Sequence, residues 1–216
     1  MKNIITALCL TLIVSCQKKE DSRTNQNHSL KERMVNQKPS DTVSYARIKT
    51  IDDIKKEYAV LNTLLISKKL DSSSFTYHCE KTGREGEAVF YYFDKQLKMV
   101  KNFYSENSHF SSSTKYFIKD NQVFFILNEE TVWNFDDGGT AEKPETKDDI
   151  KEQRLYYIND RLEYCRDKEY TLRTKNHLKP ENVSDGESKN CTDTELKKTL
   201  KILLENKDRK EKIQCL

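Results

Sequence analysis

The sequence predicts an α+β fold: an antiparallel β-meander of about seven strands, built from repeated hairpins and packed with an N-terminal helix and a C-terminal helix. Two observations predict it, an internal repeat of aromatic hairpins and an apolar stripe of helical spacing on each side of that repeat. A helix followed by consecutive antiparallel strands is the element order of the α+β class. We therefore expect a single folded domain over residues 49–216.

The internal repeat consists of three segments, residues 89–100, 115–127 and 154–165. Each begins with an aromatic strand, continues through a short turn that contains Asp or Asn, and ends in a strand that starts with Leu or Val. Turn residues between aromatic and β-branched runs are typical of β-hairpins. Equivalent positions on the two strands are five residues apart in the first and third copies and six in the second, where Phe117 is matched with Val123.

Both faces of the second hairpin carry apolar side chains, because Tyr116 and Ile118 point to one face of the strand and Phe117 to the other. We expect one face to pack on a helix and the other to be partly covered or exposed. An earlier strand that contains Tyr77 and Cys79 brings the count to about seven. The favoured architecture is a cystatin-like or similarly curved sheet wrapped on a helix.

Two helices are predicted from apolar residues at helical spacing. The first follows Thr50 and Asp53, which have capping-box spacing. Its apolar stripe consists of Ile54, Tyr58, Leu61 and Leu65. The second follows a similar pair, Thr192 and Glu195, and covers about residues 193–206. Its apolar stripe consists of Leu196, Leu200, Leu203 and Leu204.

Charge and glycine content argue against several classes of function. Charged residues make up 34% of the chain, yet the formal net charge is only +3, so we expect no nucleic-acid partner. The chain has only 5 glycines, and it contains no phosphate-cradling loop, paired-cysteine metal knuckle or nucleophile elbow. We therefore predict no cofactor, no metal site and no catalytic residues.

The N-terminus carries the features of an export signal. A basic residue precedes an uncharged apolar run from Ile4 to Val14, which is too short to cross a bilayer. The residues Ile13 to Cys16 resemble the lipobox of bacterial lipoproteins. The resemblance implies a signal peptide over residues 1–15 and lipid, including palmitate, on Cys16 at the start of a polar tether over residues 16–48. The alternatives are an ordinary cleaved signal and a plain membrane-anchoring N-terminus.

The segment that follows Cys16 indicates a compartment. Gln17 to Asp21 resemble the short export tag of surface lipoproteins of the Bacteroidota, although a solvated tether is the alternative. The lipobox, the polar tether, the helix and the repeated hairpins together resemble those of uncharacterised lipoproteins of that phylum. The resemblance implies an outer-membrane lipoprotein, attached to the membrane through its lipid on the periplasmic or cell-surface face. The tag favours the surface.

Four cysteines remain after the signal peptide and lipid attachment at Cys16 are accounted for. They are Cys79, Cys165, Cys191 and Cys215. An even number of thiols in an oxidising compartment favours disulfides, and four allow three connectivities. A bridge from Cys191 to Cys215 is within reach and would staple the C-terminal helix. Cys79 and Cys165 would then pair only if the sheet curls or its last strand doubles back; otherwise they are two separate buried thiols.

No catalytic constellation is evident in the sequence. His78 and Cys79 are adjacent, so in a strand their side chains point to opposite faces. His78 and Glu80 share a face, but no third metal ligand is evident nearby. Residues 136–149 are expected to form a long polar loop, because their aspartates lack the ligand spacing of an EF-hand.

Four aromatic residues form a candidate binding surface for a protein or glycan. They are Trp133, Phe135, Tyr156 and Tyr157. Exposed aromatic rings bind such partners, although cross-strand packing is the more common role and is the one we favour here. The leading hypothesis is a non-enzymatic binding or interaction module at the cell envelope. The alternatives are a structural envelope-maintenance protein and a hydrolase whose site is assembled only in the fold.

Overall fold

The computed structural model describes residues 47–175, 178–188, 191–209 and 213–216. The predicted signal peptide, Cys16 and the tether up to residue 46 lie outside the described residues. The helices are α1 (Ile51–Ile66) and α2 (Thr194–Asn206), and a 3₁₀ turn spans Pro180–Asn182. The strands are β1 (Asp71–Cys79), β2 (Arg84–Phe93), β3 (Gln96–Glu106), β4 (Phe110–Lys119), β5 (Gln122–Asp136), β6 (Glu145–Ile158), β7 (Arg161–Arg173) and β8 (Gly186–Glu187).

The eight strands form one antiparallel sheet in which each strand pairs with its neighbours in the sequence, from β1 to β8. This arrangement confirms an α+β meander with an N-terminal and a C-terminal helix. The predicted count of about seven strands is one too low. The additional strand, β8, has 2 residues and pairs with Arg166 and Asp167 of β7. A strand this short has no alternation of side chains from which a sequence pattern could predict it.

The three repeated hairpins have the same kind of turn. Each turn has two residues of positive φ, which are Asp94 and Lys95, Asp120 and Asn121, and Asn159 and Asp160. In every case φ is 50–51° at the first residue and 62–64° at the second. A type I′ turn requires positive φ at both positions, and its twist matches that of the flanking strands. Asn and Asp tolerate this conformation better than most residues, which explains their place in the repeat.

An extra residue shifts the register at the same place in every hairpin. These residues are Lys98, Phe124 and Glu163. In the second hairpin Val123 pairs with Ile118, so the predicted match of Val123 with Phe117 is wrong. With Ile118 as the equivalent position, the interval is five residues in all three copies. The sequence alone did not show which aromatic or aliphatic residue the bulge would place opposite Val123.

The hairpins give the sheet two apolar faces near their turns. The pairs on the first face are Tyr92 with Leu97, Ile118 with Val123, and Tyr157 with Leu162. They pack in one core with α2, so we call this side the α2 face. The pairs on the second face are Tyr91 with Met99, Phe117 with Phe125, and Tyr156 with Tyr164. They pack in a second core with α1, on the α1 face. As predicted, Tyr116 and Ile118 pack on one face of the sheet and Phe117 packs on the other.

The helix α1 begins at the predicted capping box. Thr50 Oγ1 accepts a hydrogen bond from Asp53 N at 3.2 Å, and Asp53 Oδ2 accepts one from Thr50 N at 3.0 Å. The buried side chains of the stripe include Ile54 and Leu61, and they are followed by Leu64, whereas Leu65 is only partly buried. The helix therefore presents a slightly different face from the predicted stripe.

A charged pair is buried beneath α1. The Lys119 ammonium lies 2.7 Å from the Glu57 carboxylate, and the two side chains are only 7% and 5% exposed. A charge in an apolar interior is costly unless it is paired, so each of these groups depends on the other. The pair fixes α1 to β4 close to the second hairpin turn.

The N-cap residue of α2 is Asp193, and its side chain makes no capping hydrogen bond. The predicted capping box of Thr192 and Glu195 is therefore wrong. The Asp193 carboxylate instead accepts hydrogen bonds from the Tyr157 hydroxyl at 3.0 Å and from Lys197 at 2.9 Å. Although burial opposes its ionisation, these bonds hold the pKa of Asp193 below its usual value. The start of α2 is thereby fastened to the sheet.

Two disulfides join α2 to opposite sides of the sheet, and both predicted pairings are wrong. Cys79 of β1 is bonded to Cys215, and Cys165 of β7 is bonded to Cys191. Cys79 and Cys165 are separated by six strand spacings, which is about 29 Å along the sheet. The meander stays open, so these two residues do not meet.

The C-terminal segment explains why Cys215 does not return to Cys191. Ile213 pairs with β1: its carbonyl accepts from His78 N at 3.0 Å, and its N–H donates to Thr76 O at 3.3 Å. Cys215 is therefore held at β1, whereas Cys191 is held at β7, six strand spacings away. The chain thus crosses the α2 face from β7 to β1 and is bonded covalently at both ends.

Candidate binding surfaces

The two helices cover only the half of the sheet that contains the hairpin turns. On β5, Phe124, Phe125 and Ile126 are buried in the two cores, whereas Val132 and Phe135 are exposed. We call the half near the turns the covered half. We call the other half, which begins on β5 at Asn128, the open half. Both candidate surfaces belong to the open half, one on each face.

The first candidate surface is an aromatic patch of Trp133, Phe135 and His109 on the α1 face. The centres of the Trp133 and Phe135 rings are 5.0 Å apart, and the two ring planes are inclined to each other by 63°. Phe135 is 64% exposed. His109 lies 5.0 Å from the Trp133 ring, and its Nδ1 is 3.0 Å from Trp133 O. The Trp133 N–H donates to His109 O at 2.8 Å, so backbone bonds fix the patch.

The four predicted aromatic residues do not form one surface. Tyr156 is buried in the α1 core and Tyr157 in the α2 core, on opposite faces of β6. Adjacent residues of a strand point to opposite sides, so these two could not share a surface. For them, packing is the role that the structure shows. Trp133 and Phe135 are brought together, and His109 joins them.

The strand that carries the aromatic patch also extends the sheet further than predicted. β5 continues to Asp136 and β6 begins at Glu145, so the predicted loop over residues 136–149 is about half strand. Asp148 pairs with Trp133, and Asp149 pairs with Val132. Polar residues form strands here because partners on both sides satisfy their backbone groups.

The aromatic patch lies far from the point where the described chain begins. Arg47 and Ile48 line a cavity together with residues of the second and third hairpin turns. β5 starts directly after the second hairpin turn, and Phe135 lies thirteen positions after Gln122 on that strand. At about 3.4 Å per residue, the distance along the strand is about 44 Å. The aromatic patch and the N-terminal entry of the chain therefore lie at opposite ends of the sheet.

The second candidate surface is a polar pocket on the α2 face, between the open half of the sheet and the side of α2. Its cavity volume is about 320 Å³. The sheet residues that line it are Tyr77, Arg84, Asn102, Tyr104, Ser112, Thr114, Tyr116, Asn128 and Glu130. Glu195, Leu196, Lys198, Thr199 and Ile202 of α2 and the C-terminal Leu216 close it.

The floor of the polar pocket begins where the α2 core ends. Val100, Tyr116, Ile126 and Leu155 form an apolar row across four neighbouring strands. The next row away from the turns is polar from β3 to β7. It consists of Asn102, Thr114, Asn128, Gln153 and Asp167. Two hydrogen bonds run along it, from Thr114 Oγ1 to Asn128 Oδ1 at 2.8 Å and from Gln153 Nε2 to Asp167 Oδ1 at 3.3 Å.

Tyr77 forms one end of the polar pocket. A Cβ at Gly86 would lie 2.2 Å from the Tyr77 ring, so only glycine lets this ring lie across the backbone of β2. The Tyr77 hydroxyl donates to Asn102 Oδ1 at 3.0 Å. Burial raises the pKa of Tyr77 to about 12, so the hydroxyl keeps its proton at neutral pH.

Two residues of the pocket are deeply buried but keep a polar group that no described residue pairs with. Asn102 is 3% exposed, and only its side-chain oxygen is hydrogen-bonded among the described residues. Ser112 is 4% exposed and lines the cavity. The Asn102 amide nitrogen and the Ser112 hydroxyl are not sealed away from the cavity, so both can bond with whatever fills it.

The rim of the polar pocket has charges of both signs. The Arg84 guanidinium lies 4.2 Å from the centre of the Tyr104 ring and forms an ion pair with Glu106. Glu130 of β5 and Lys198 of α2 add one charge of each sign. Because Arg84 is already neutralised by Glu106, the rim provides no surplus of positive charge for an anion.

The two described histidines, His78 and His109, are not among the residues that line this pocket. His78 Nδ1 is 3.1 Å from Glu85 Oε1 on the α1 face. Glu80, the residue considered with His78 as a metal ligand, follows the end of β1. Among the described residues, no three His, Cys, Asp or Glu side chains are arranged as a metal site.

Sequence reasoning missed the polar pocket. Its signal was present, because Asn102 and Asn128 each lie two residues from a core residue of the same strand, Val100 and Ile126. Recognising the row, however, requires the register of four strand pairs, and the register depends on the bulges.

Within the described residues, no helix is both long and apolar enough to span a bilayer. Searches against protein-family models, curated proteins and solved structures found no match to this chain.

Proposed function

We propose that this chain is an outer-membrane lipoprotein, anchored through lipid on Cys16, whose folded domain binds a protein partner of the cell envelope without catalysing a reaction. The aromatic patch carries this proposal. Large exposed aromatic side chains are enriched in the energetic centres of protein interfaces. Trp133 and Phe135 lie on a part of the sheet that neither helix covers.

The placement of the patch supports a partner other than the anchoring membrane. The described chain enters the domain at the turn end of the sheet, about 44 Å along β5 from Phe135. A lipid anchor that precedes residue 47 would attach the domain by that end. The patch would then lie at the end of the sheet opposite to Arg47, the first described residue.

The shape of the patch favours protein over glycan. The two rings are inclined by 63°, so they present one face and one edge instead of a single flat platform for stacking. Polar residues lie beside them across the strand pair, Asp148 opposite Trp133 and Thr146 opposite Phe135. An aromatic centre with a polar rim is the usual anatomy of a protein interface.

Site-specific photo-crosslinking on intact cells would test the patch. A photoreactive phenylalanine at position 135 should crosslink to one defined protein, whereas the same group at Val132 should not. Val132 is also exposed, at 41%, but it lies one strand position from Trp133 and therefore on the opposite face.

The purified partner should then bind the variant Trp133→Ala/Phe135→Ala at least about 30-fold more weakly, which corresponds to about 2 kcal/mol for the loss of two central aromatic residues. Val132→Ala should bind normally. Unchanged affinity of the double variant, or equal crosslinking from both positions, would reject the protein-binding role. Transfer of the crosslink to glycan instead of protein would also reject it.

The anchor has a separate test. Mass spectrometry of the mature N-terminus should find Cys16 as the first residue and should find it acylated. Cys16→Ser should leave the membrane fraction, because each buried methylene of an acyl chain contributes about 0.8 kcal/mol to membrane binding. An unmodified N-terminus, or a Cys16→Ser protein that stays on the membrane, would contradict the lipoprotein assignment.

A further inference from the structure

We infer that the polar pocket on the α2 face is a binding site for a small, uncharged, hydroxyl-rich ligand, a saccharide unit in chemical terms. This inference is independent of the aromatic patch, which lies on the other face of the sheet. It rests on the hydrogen-bonding groups of the pocket, their burial and the size of the cavity.

The position of the unpaired groups points to a ligand. Asn102 and Ser112 are 3% and 4% exposed, yet the Asn102 amide nitrogen and the Ser112 hydroxyl have no partner among the described residues. Both residues line the cavity, and their free groups are open to it. Residues that serve only to pack the core are apolar, as Val100 and Ile126 are in the row nearer the turns.

The protein preorganises these groups. Asn102 is oriented by the hydrogen bond that Tyr77 donates to its oxygen, which leaves the amide N–H groups available. Asn128 is oriented in the same way by Thr114, at 2.8 Å. The two amides occupy the same row of the sheet, on either side of Thr114. Side chains held in this manner lose little further freedom when a ligand binds.

The set of donors and acceptors selects the class of ligand. Asn102 and Asn128 offer donors, Glu130 offers an acceptor, and Ser112 offers both. A hydroxyl group donates and accepts, so a ligand that carries several hydroxyls can satisfy all four side chains. The Tyr104 ring in the lining adds an apolar face against which a sugar ring can pack.

Charge and size exclude the main competing ligands. An anion would face Glu130 and Glu195, and the nearest guanidinium, Arg84, is already paired with Glu106. An apolar ligand would leave the buried Asn102 and Ser112 groups unpaired. The volume of about 320 Å³ is at the lower end of the usual range for ligand pockets, about 300–1,000 Å³, and fits a small ligand.

Saturation-transfer difference NMR on the purified full chain would test the site. The probes are a panel of neutral methyl glycosides and, separately, inorganic phosphate. We expect at least one glycoside to give a signal that Asn128→Leu and Glu130→Gln each weaken by about tenfold in affinity, since one lost hydrogen-bonding partner corresponds to about 1.4 kcal/mol. Glu129→Gln, the adjacent residue on the opposite face, should bind as the unmodified chain does.

The other outcomes would overturn the inference. Binding of phosphate without any glycoside would assign the pocket to anions. No binding of any glycoside would leave a cavity that holds only water. Equal weakening by Glu129→Gln would show that the ligand binds elsewhere. A far-UV spectrum and thermal unfolding curve for every variant separate loss of binding from loss of the fold, and Glu130→Gln, which keeps the shape of the side chain, decides the case if Asn128→Leu does not fold.

Discussion

The covered and open halves of the sheet are made from the same strands, yet their side chains serve different purposes. In β5, Phe125 and Ile126 are buried against α1 and α2, respectively, whereas Trp133 and Phe135 lie beyond both helices. The change occurs within a single row, because Ile126 is followed on the α2 face by Asn128. The difference indicates that the covered half stabilises the fold, and that the open half can carry contact residues at little cost to stability.

The largest expected effect comes from breaking the covalent attachment of α2 to the sheet. Cys79→Ser/Cys215→Ser opens a loop of 136 residues, and chain entropy predicts a loss of about 5 kcal/mol. Cys165→Ser/Cys191→Ser opens a loop of 26 residues, for which the predicted loss is about 3.5 kcal/mol. Equilibrium denaturation in urea measures both losses.

The two losses of stability should differ in size, because the two disulfides close loops of different length. If the covered half depends on α2 being held at both sides of the sheet, each variant should expose the apolar residues of the α2 face to a hydrophobic dye. A larger loss from Cys165→Ser/Cys191→Ser, or no loss from either variant, would contradict this account.

The next effect concerns the buried charge beneath α1. Glu57→Ala removes the carboxylate that lies 2.7 Å from the Lys119 ammonium, which is 7% exposed. Removing one member of a buried pair costs up to about 3–5 kcal/mol, so thermal and urea unfolding should show a loss of stability with that range as its upper bound. Lys55→Ala breaks an exposed pair with Asp52 on the same helix and should cost no more than about 0.5 kcal/mol.

A double replacement tests the cause of that loss. Glu57→Leu/Lys119→Leu removes both charges and should recover most of the stability, because apolar residues of similar size replace buried ion pairs with little loss. If the double variant is as unstable as Glu57→Ala, the cost arises from packing and not from the loss of the Glu57–Lys119 ion pair.

The smallest expected effect is a change in alkaline stability. Burial raises the pKa of Tyr77 from 10.0 to about 12 in the folded chain. A raised pKa means that the stability linked to this proton is complete below the unfolded value of about 10 and is lost as pH rises toward about 12. Tyr77→Phe should therefore reduce the fall in Tm between about pH 9 and about pH 11.

The control for the alkaline effect is Tyr92→Phe, at a partly exposed tyrosine that packs at the edge of the α2 core. It should leave the fall in Tm between the two pH values unchanged. An equal slope in Tyr77→Phe and in the unmodified chain would show that the buried Tyr77 hydroxyl is not responsible.

Local patterns in the sequence predicted the elements of the covered half. The turn residues, the aromatic alternation and the Thr50 cap are local signals, and each corresponds to an observed hairpin or helix. Strands β1 to β5, which line the polar pocket, were also predicted in part, although β5 and β6 continue into the segment taken as a loop. Exposed strand ends with polar residues on both faces carry no periodic signal.

Long-range pairing was not predictable in the same way. The disulfides depend on how far the sheet curls and on where the chain goes after α2, and neither is encoded in the spacing of the cysteines. The polar pocket depends on the register of several strands, and each of the three repeated hairpins contains a bulge near its turn. Of the predicted aromatic surface, only Trp133 and Phe135 are brought together, because Tyr156 and Tyr157 point to opposite sides.

The attachment of α2 at both ends also determines how the domain would respond to mechanical tension. Cys79–Cys215 closes a loop that holds strands β2 to β7, so a load applied between the two ends of the described chain can extend only the residues before Cys79 and after Cys215. α1 and β1 precede the bridge and would yield to that load, with loss of the buried Glu57–Lys119 pair. Strands β2 to β7 would carry none of the load and would stay folded.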